Sequence, residues 1–73
     1  MMKKGKGSVY RVTELVGTSS TSWEDAARNA VETAAKSLRD LRVAEVTKTD
    51  VVVKKGKVVA YRARVSLSFK YGA

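Results

Sequence analysis

The side chains best equipped for chemistry in this chain are two carboxylates, Glu45 and Asp50, and two guanidiniums, Arg62 and Arg64. Asp50 runs directly into Val51-Val52-Val53, in a β-branched stretch where extended backbone disfavours Asp, so its presence asks for a reason. Glu45, five residues earlier, is the other carboxylate of the same stretch. Their odd separation sends them to opposite faces of a regular strand. One ion held by both would therefore need several subunits, backbone carbonyls or an irregularity in the strand. The alternatives are structural: Asp50 pairs with Arg62 or Arg64 across a hairpin, and Glu45 forms an ion pair between subunits. Arg62 and Arg64 share a strand face, where they form an anion site or pair with Glu14 and other acids of adjacent strands.

Other chemistries are poorly supplied. The chain has no His and no Cys, which removes the usual neutral-pH base, the thiolate nucleophile, disulfides and the usual zinc ligands. No nucleophile–base pair is readable, so an enzyme is not expected. No EF-hand-type loop is present. Trp23, the single tryptophan, falls in a first helical turn, where it serves as a packing residue or a cap on a neighbouring subunit rather than as a platform for a ring system.

These residues are carried by a short series of elements. Val9 to Val16 read as a strand. Gly17-Thr18-Ser19-Ser20-Thr21-Ser22 reads as a turn-rich connection whose end starts a helix, because Thr21 with Glu24, or Ser22 with Asp25, has capping-box spacing. Trp23, Ala26, Ala27, Ala30, Val31, Ala34, Leu38 and Leu41 recur at helical spacing, which predicts a helix from Trp23 to about Leu41 with Arg39 and Arg42 near its negative end. Val43 to Val53 and Val58 to Tyr71 read as two strands joined at Lys54-Lys55-Gly56-Lys57, with Gly56 able to take positive φ. The last strand alternates strictly. Val59, Tyr61, Ala63, Val65, Leu67, Phe69 and Tyr71 fall on one side, and Arg62, Arg64, Ser66, Ser68 and Lys70 on the other. That pattern marks a sheet with one dry and one wet face. The expected fold is α+β: a β-α-β-β subunit whose three-stranded antiparallel sheet packs on one helix.

At 73 residues the chain forms one domain, here residues 8–71 behind a flexible basic N-terminal arm of residues 1–7. A domain of this size without a staple commonly relies on oligomerisation. One Ala-rich helix cannot cover strands this long, so Phe69 and Tyr71 call for a partner chain. The net charge of +8 concentrates at Lys3, Lys4 and Lys6 and at Lys54, Lys55 and Lys57. Such runs bind nucleic acid or anionic membrane surfaces, or simply solubilise an arm and a turn; the strands lack the exposed aromatics that read single-stranded bases. No apolar run approaches the roughly 20 residues of a membrane span, and the basic start lacks the apolar core of a signal peptide. A cytoplasmic location is expected.

Several stretches, taken in order, resemble the dodecin family: Gly17-Thr18-Ser19, the capped Ala-rich helix, Leu38-Arg39-Asp40-Leu41-Arg42 before Val43-Ala44-Glu45-Val46, and the closing Ser66-Leu67-Ser68-Phe69. The resemblance covers about Val9 to Lys70. It implies subunits that assemble into a hollow homododecamer and hold a small ligand. In flavin-binding members a tryptophan stands where this chain has Val43, a glutamine where it has Arg62, and commonly an arginine where it has Asp50. Valine offers no π face, and a guanidinium cannot reproduce the paired donor and acceptor of an amide. The resemblance is greater to the calcium dodecins, through Thr18-Ser19, Ser22-Trp23-Glu24-Asp25 and Gly56-Lys57-Val58-Val59-Ala60-Tyr61-Arg62. It thus implies a binding or storage protein for calcium rather than flavin, with Val43 and Arg62 as the altered pocket positions and Asp50 and Glu45 as the metal candidates. The alternatives are a flavin (FMN or riboflavin) storage protein and a basic oligomeric module for nucleic acid or anionic surfaces.

Overall fold

The computed structural model describes residues 7–71, so the basic run Lys3, Lys4 and Lys6 lies outside the described residues. The elements are β1 (Tyr10–Ser19), α1 (Trp23–Ala35), β2 (Leu41–Lys54) and β3 (Lys57–Lys70). The sheet has the order β1-β3-β2 with both pairings antiparallel, as the β-α-β-β reading expects. The strictly alternating strand, β3, lies at its centre.

Two element ends differ from expectation. Gly17, Thr18 and Ser19 belong to β1, paired with Ala63, Arg62 and Tyr61, because the helix crosses this end of the strand closely enough to need glycine there. A methyl group on Gly17 would collide with the Ala26 carbonyl oxygen and stand 2.9 Å from the Ala30 Cβ. The helix stops at Ala35, not near Leu41, and Arg39 and Arg42 lie beyond it. After Ala35 the chain tightens, with the Lys36 amide donating to the Thr33 carbonyl at 3.2 Å and the Ser37 amide to the Ala34 carbonyl at 3.0 Å. Asp40 then turns the backbone through φ 56°, a conformation Asp tolerates better than most residues. Leu38 and Leu41 keep their spacing and still pack on the core. The periodicity therefore marked a shared burial surface rather than a continuous helix.

Of the two capping arrangements, Ser22 is the N-cap and accepts from the Asp25 amide at 3.0 Å. Asp25 does not reach back to the cap; its carboxylate accepts from the Ser19 hydroxyl at 2.8 Å. The hairpin turns as expected. Lys55 (φ 52°) and Gly56 (φ 75°) both sit in the left-handed region, the signature of a two-residue type I′ turn.

The core is thin. Ala26, Ala30 and Ala34 of α1 and Ala63, Val65 and Leu67 of β3 are buried, and Ala30, Ala34, Val65 and Leu67 form one packed cluster. A 13-residue helix is about 20 Å long, whereas 14-residue strands reach about 45 Å. The helix covers less than half the hairpin, and Val53, Val58 and Val59 beyond it remain exposed. The radius of gyration, 15.8 Å, is well above the about 11 Å of a compact domain this size. Tyr71 is likewise exposed.

Candidate functional site

The sheet face opposite α1 carries Glu14, Glu45, Asp50, Arg62 and Arg64. Residues directly opposed in an antiparallel pair project to the same side, so the register sorts this face into rows running from β1 through β3 to β2. Val12, Ser68 and Val43 form one row; Glu14, Ser66 and Glu45 the next; Val16, Arg64 and Lys48 the third; Thr18, Arg62 and Asp50 the fourth.

The sequence argument for opposite faces of Glu45 and Asp50 holds only for a regular strand, and β2 is not regular. Its register shifts between Val46 and Lys48, leaving Thr47 as an extra residue whose hydroxyl donates to the Arg64 carbonyl at 3.3 Å. Such a bulge reverses which residues face which way. Glu45 and Asp50 consequently share the helix-free face, opposite Ser66 and Arg62. These partners are four residues apart on β3, about 13 Å, too far for one ion to touch both carboxylates within a chain. Val43 and Arg62 also share this face, but about 20 Å of strand separates their rows. A ring system touching both would take them from different chains.

Asp50 is held from both sides of the sheet. Its carboxylate accepts two hydrogen bonds from Arg62, from Nε at 2.7 Å and Nη2 at 2.8 Å. Its backbone carbonyl accepts from the Trp23 indole Nε1 at 3.0 Å. Trp23 in turn meets Tyr61 edge to face, with centroids 5.2 Å apart at 76°. The tryptophan's N–H is thus committed to packing α1 on the hairpin. The Arg62 hydrogen bonds hold the Asp50 carboxyl below its ordinary pKa, against a smaller opposing effect of desolvation, with Arg64 and Lys48 adding to the lowering. The same pair raises Arg62. A carboxyl lowered by folding stabilises the fold above its unfolded pKa and loses that contribution as pH falls through the folded value. For Asp50 the loss therefore belongs below about pH 4. Thermal melts of the wild-type protein and Asp50→Asn should differ at pH 5–7 and converge in acid; a constant gap down to the lowest pH would refute this.

Among the described residues the ion pairs are Arg28–Asp25, Arg42–Asp40 and Arg62–Asp50. Arg64 does not pair with Glu14, because the register sets Val16 opposite Arg64 and Glu14 opposite Ser66. No group of three or more His, Cys, Asp or Glu side chains positioned to hold a metal occurs among the described residues. The nearest arrangement to a hard-cation site is the second row, in which Glu14 and Glu45 flank the Ser66 hydroxyl. The two glutamates are two strand spacings apart, about 10 Å between Cα atoms, so their carboxylates can converge above Ser66. Glu14 and Ser66 were not legible as donors in the sequence, since only the register brings them beside Glu45. No glycine marks the bulge that completes the row.

Comparison with known proteins agrees with this architecture. The dodecin family model matches residues 9–72. The calcium dodecin of Mycobacterium tuberculosis is 46% identical over 63 residues, covering 86% of this chain and 89% of that protein. Its crystal structure, described as a calcium-chelating antigen with a novel calcium-binding site, superimposes with a TM-score of 0.78, covering 89% of this chain and 93% of that one. The Streptomyces coelicolor dodecin is 36% identical with a TM-score of 0.86, over 94% of this chain and 99% of that one. A mutant of the Thermus thermophilus dodecin is 33% identical with a TM-score of 0.83, over 92% of this chain and 98% of that one. With sequence, strand order and helix placement in agreement over nearly its whole length, the chain belongs to the dodecin family.

Proposed function

We propose that this chain is a non-catalytic binding and storage protein for a hard divalent cation, calcium first, acting as a cytoplasmic homododecameric shell. The observation that carries the reading is the Glu14–Ser66–Glu45 row, which the Thr47 bulge keeps on one face with the other polar residues. Calcium takes six to eight oxygens at 2.3–2.6 Å. One chain offers two carboxylates and a hydroxyl here, leaving the remainder to water or neighbouring subunits. The likeness to a calcium dodecin supports the choice of ion.

Flavin is a weaker fit. Val43 presents no aromatic face, and Arg62 is engaged at both its Nε and Nη2 by Asp50. In this reading Glu45 is the ligand retained from the sequence argument, and Asp50 serves to hold Arg62. Self-assembly follows from the thin core and the uncovered half of the hairpin, which only other chains can bury.

Isothermal titration with calcium chloride and with FMN tests the proposal. Calcium should bind saturably and FMN should not. Glu45→Gln should weaken calcium at least about tenfold, the loss of one charged ligand from a small set, and Asp50→Asn should weaken it far less. Tight FMN binding with no calcium binding would overturn the proposal.

A further inference from the structure

The third row of the same face is unlike its neighbours. Lys48 stands directly opposite Arg64, and like charges so placed cost stability. The bulge causes this: in an unbroken ladder Thr47 would oppose Arg64, and the extra residue substitutes a lysine. Neither Lys48 nor Arg64 forms an ion pair with a described residue. Arg62, one row along, is already matched by Asp50. The acids facing the pair are Glu14 on β1 and Glu45 and Asp50 on β2, each one row away, with the Asp50 carboxylate already held by Arg62. Those diagonal positions are about 7–8 Å off, against about 5 Å for the direct cation–cation pair. Arg64 also borders a depression of about 370 Å³ shared with Glu14, Leu15 and Val16 at the β1 edge, within the size range of small-ligand sites.

From these observations we propose that Lys48 and Arg64 form an anion site for a small phosphorylated or carboxylated molecule. The guanidinium fork takes two oxygens of the anion, the ammonium adds a point charge from the opposite strand, and Val16 with the depression receives the organic portion. The unfavourable pair is relieved when the anion binds, which explains why a bulge that creates it is tolerated. The site does not depend on the cation reading, although a cation held by Glu14 and Glu45 would neutralise those two of the three diagonal counter-charges and strengthen the anion's binding. By linkage the anion would strengthen the cation equally.

The test uses methylphosphonate as the phosphate-group probe, titrated by calorimetry into the full-length protein in excess EGTA, so that the outcome is independent of calcium. The wild-type protein should bind it saturably. Lys48→Gln/Arg64→Gln should weaken binding at least about tenfold, whereas Lys54→Gln/Lys57→Gln, removing equal charge at the hairpin tip, should change it less than twofold. The first double variant should also melt at a higher temperature than wild type, since it removes the opposed charges. Equal weakening by both double variants, or no saturable binding by wild type, overturns the proposal. So does a Lys48→Gln/Arg64→Gln protein that stays folded and binds as wild type does. Each of these results leaves the calcium titration to be judged separately.

Discussion

Gly17→Ala should be the most damaging single-methyl change in this protein. Gly17 has no positive φ, so its conformation is open to alanine, and at an unconstrained site the exchange would stabilise by restricting the unfolded chain. Here the added carbon runs into the Ala26 carbonyl oxygen and the Ala30 Cβ. A backbone atom cannot rotate away, so α1 must lift from β1. Lifting it loosens the contacts of Ala30 and Ala34 with Val65 and Leu67 at the same time. Overpacking of this kind costs roughly 1–3 kcal/mol or more, a large share of what a domain this small can hold. Denaturant melts should show the loss, and Gly7→Ala is the control, because no atom lies within 4 Å of a methyl at Gly7. Equal midpoints for the two variants would mean that the close approach of helix and strand is not a stabilising constraint.

Leu67→Ala should follow closely, by the opposite error. Leu67 is the largest fully buried side chain, with Val65 beside it, Ala30 and Ala34 buried against them from the helix, and Val31, Leu38 and Leu41 packed at the margin of the cluster. The buried alanines are too short to close the space, so a cavity stays open and the change should cost about 2–5 kcal/mol. Because the assembled state draws on the same fold, sedimentation velocity should show free or aggregated chains where the wild type shows a shell, with partial recovery at higher protein concentration. A variant that assembles normally and melts within 0.5 kcal/mol of wild type would show that the core lies mainly between subunits.

How much of this was readable beforehand depends on how local the cause is. The alternation from Val59 to Phe69 identified the central strand, since one dry face imposes period two on its own residues. The Lys55-Gly56 turn and the Ser22 cap were likewise legible, because each is decided within four residues. The end of α1 was not: Leu38 and Leu41 satisfy helical spacing and also satisfy a turn that delivers both to the same core. The extension of β1 through Ser19 was hidden for a related reason, as Gly17 is required by Ala26 and Ala30 rather than by its neighbours. The site was half readable. Asp50 and Arg62 are the pair one of the two readings anticipated. The grouping of Glu14, Ser66 and Glu45, and the opposition of Lys48 to Arg64, depend on Thr47 being surplus in the ladder, and no residue type nearby announces it.

That surplus residue bears on how such a surface changes over generations. Before Thr47 the odd-numbered residues of β2, Val43 and Glu45, look away from the helix; after it the even-numbered ones do, Lys48, Asp50 and Val52. Loss of the Thr47 codon would leave a regular ladder with Lys48 still opposite Arg64 and Asp50 still opposite Arg62. Closing the bulge with Thr47 kept would instead exchange Lys48, Asp50 and Val52 for Thr47, Thr49 and Val51 on the helix-free face. A face lined by charge would thus become one lined by hydroxyl and hydrocarbon with no change in the residues of the strand itself, and column-by-column substitution counts across it would miss the exchange.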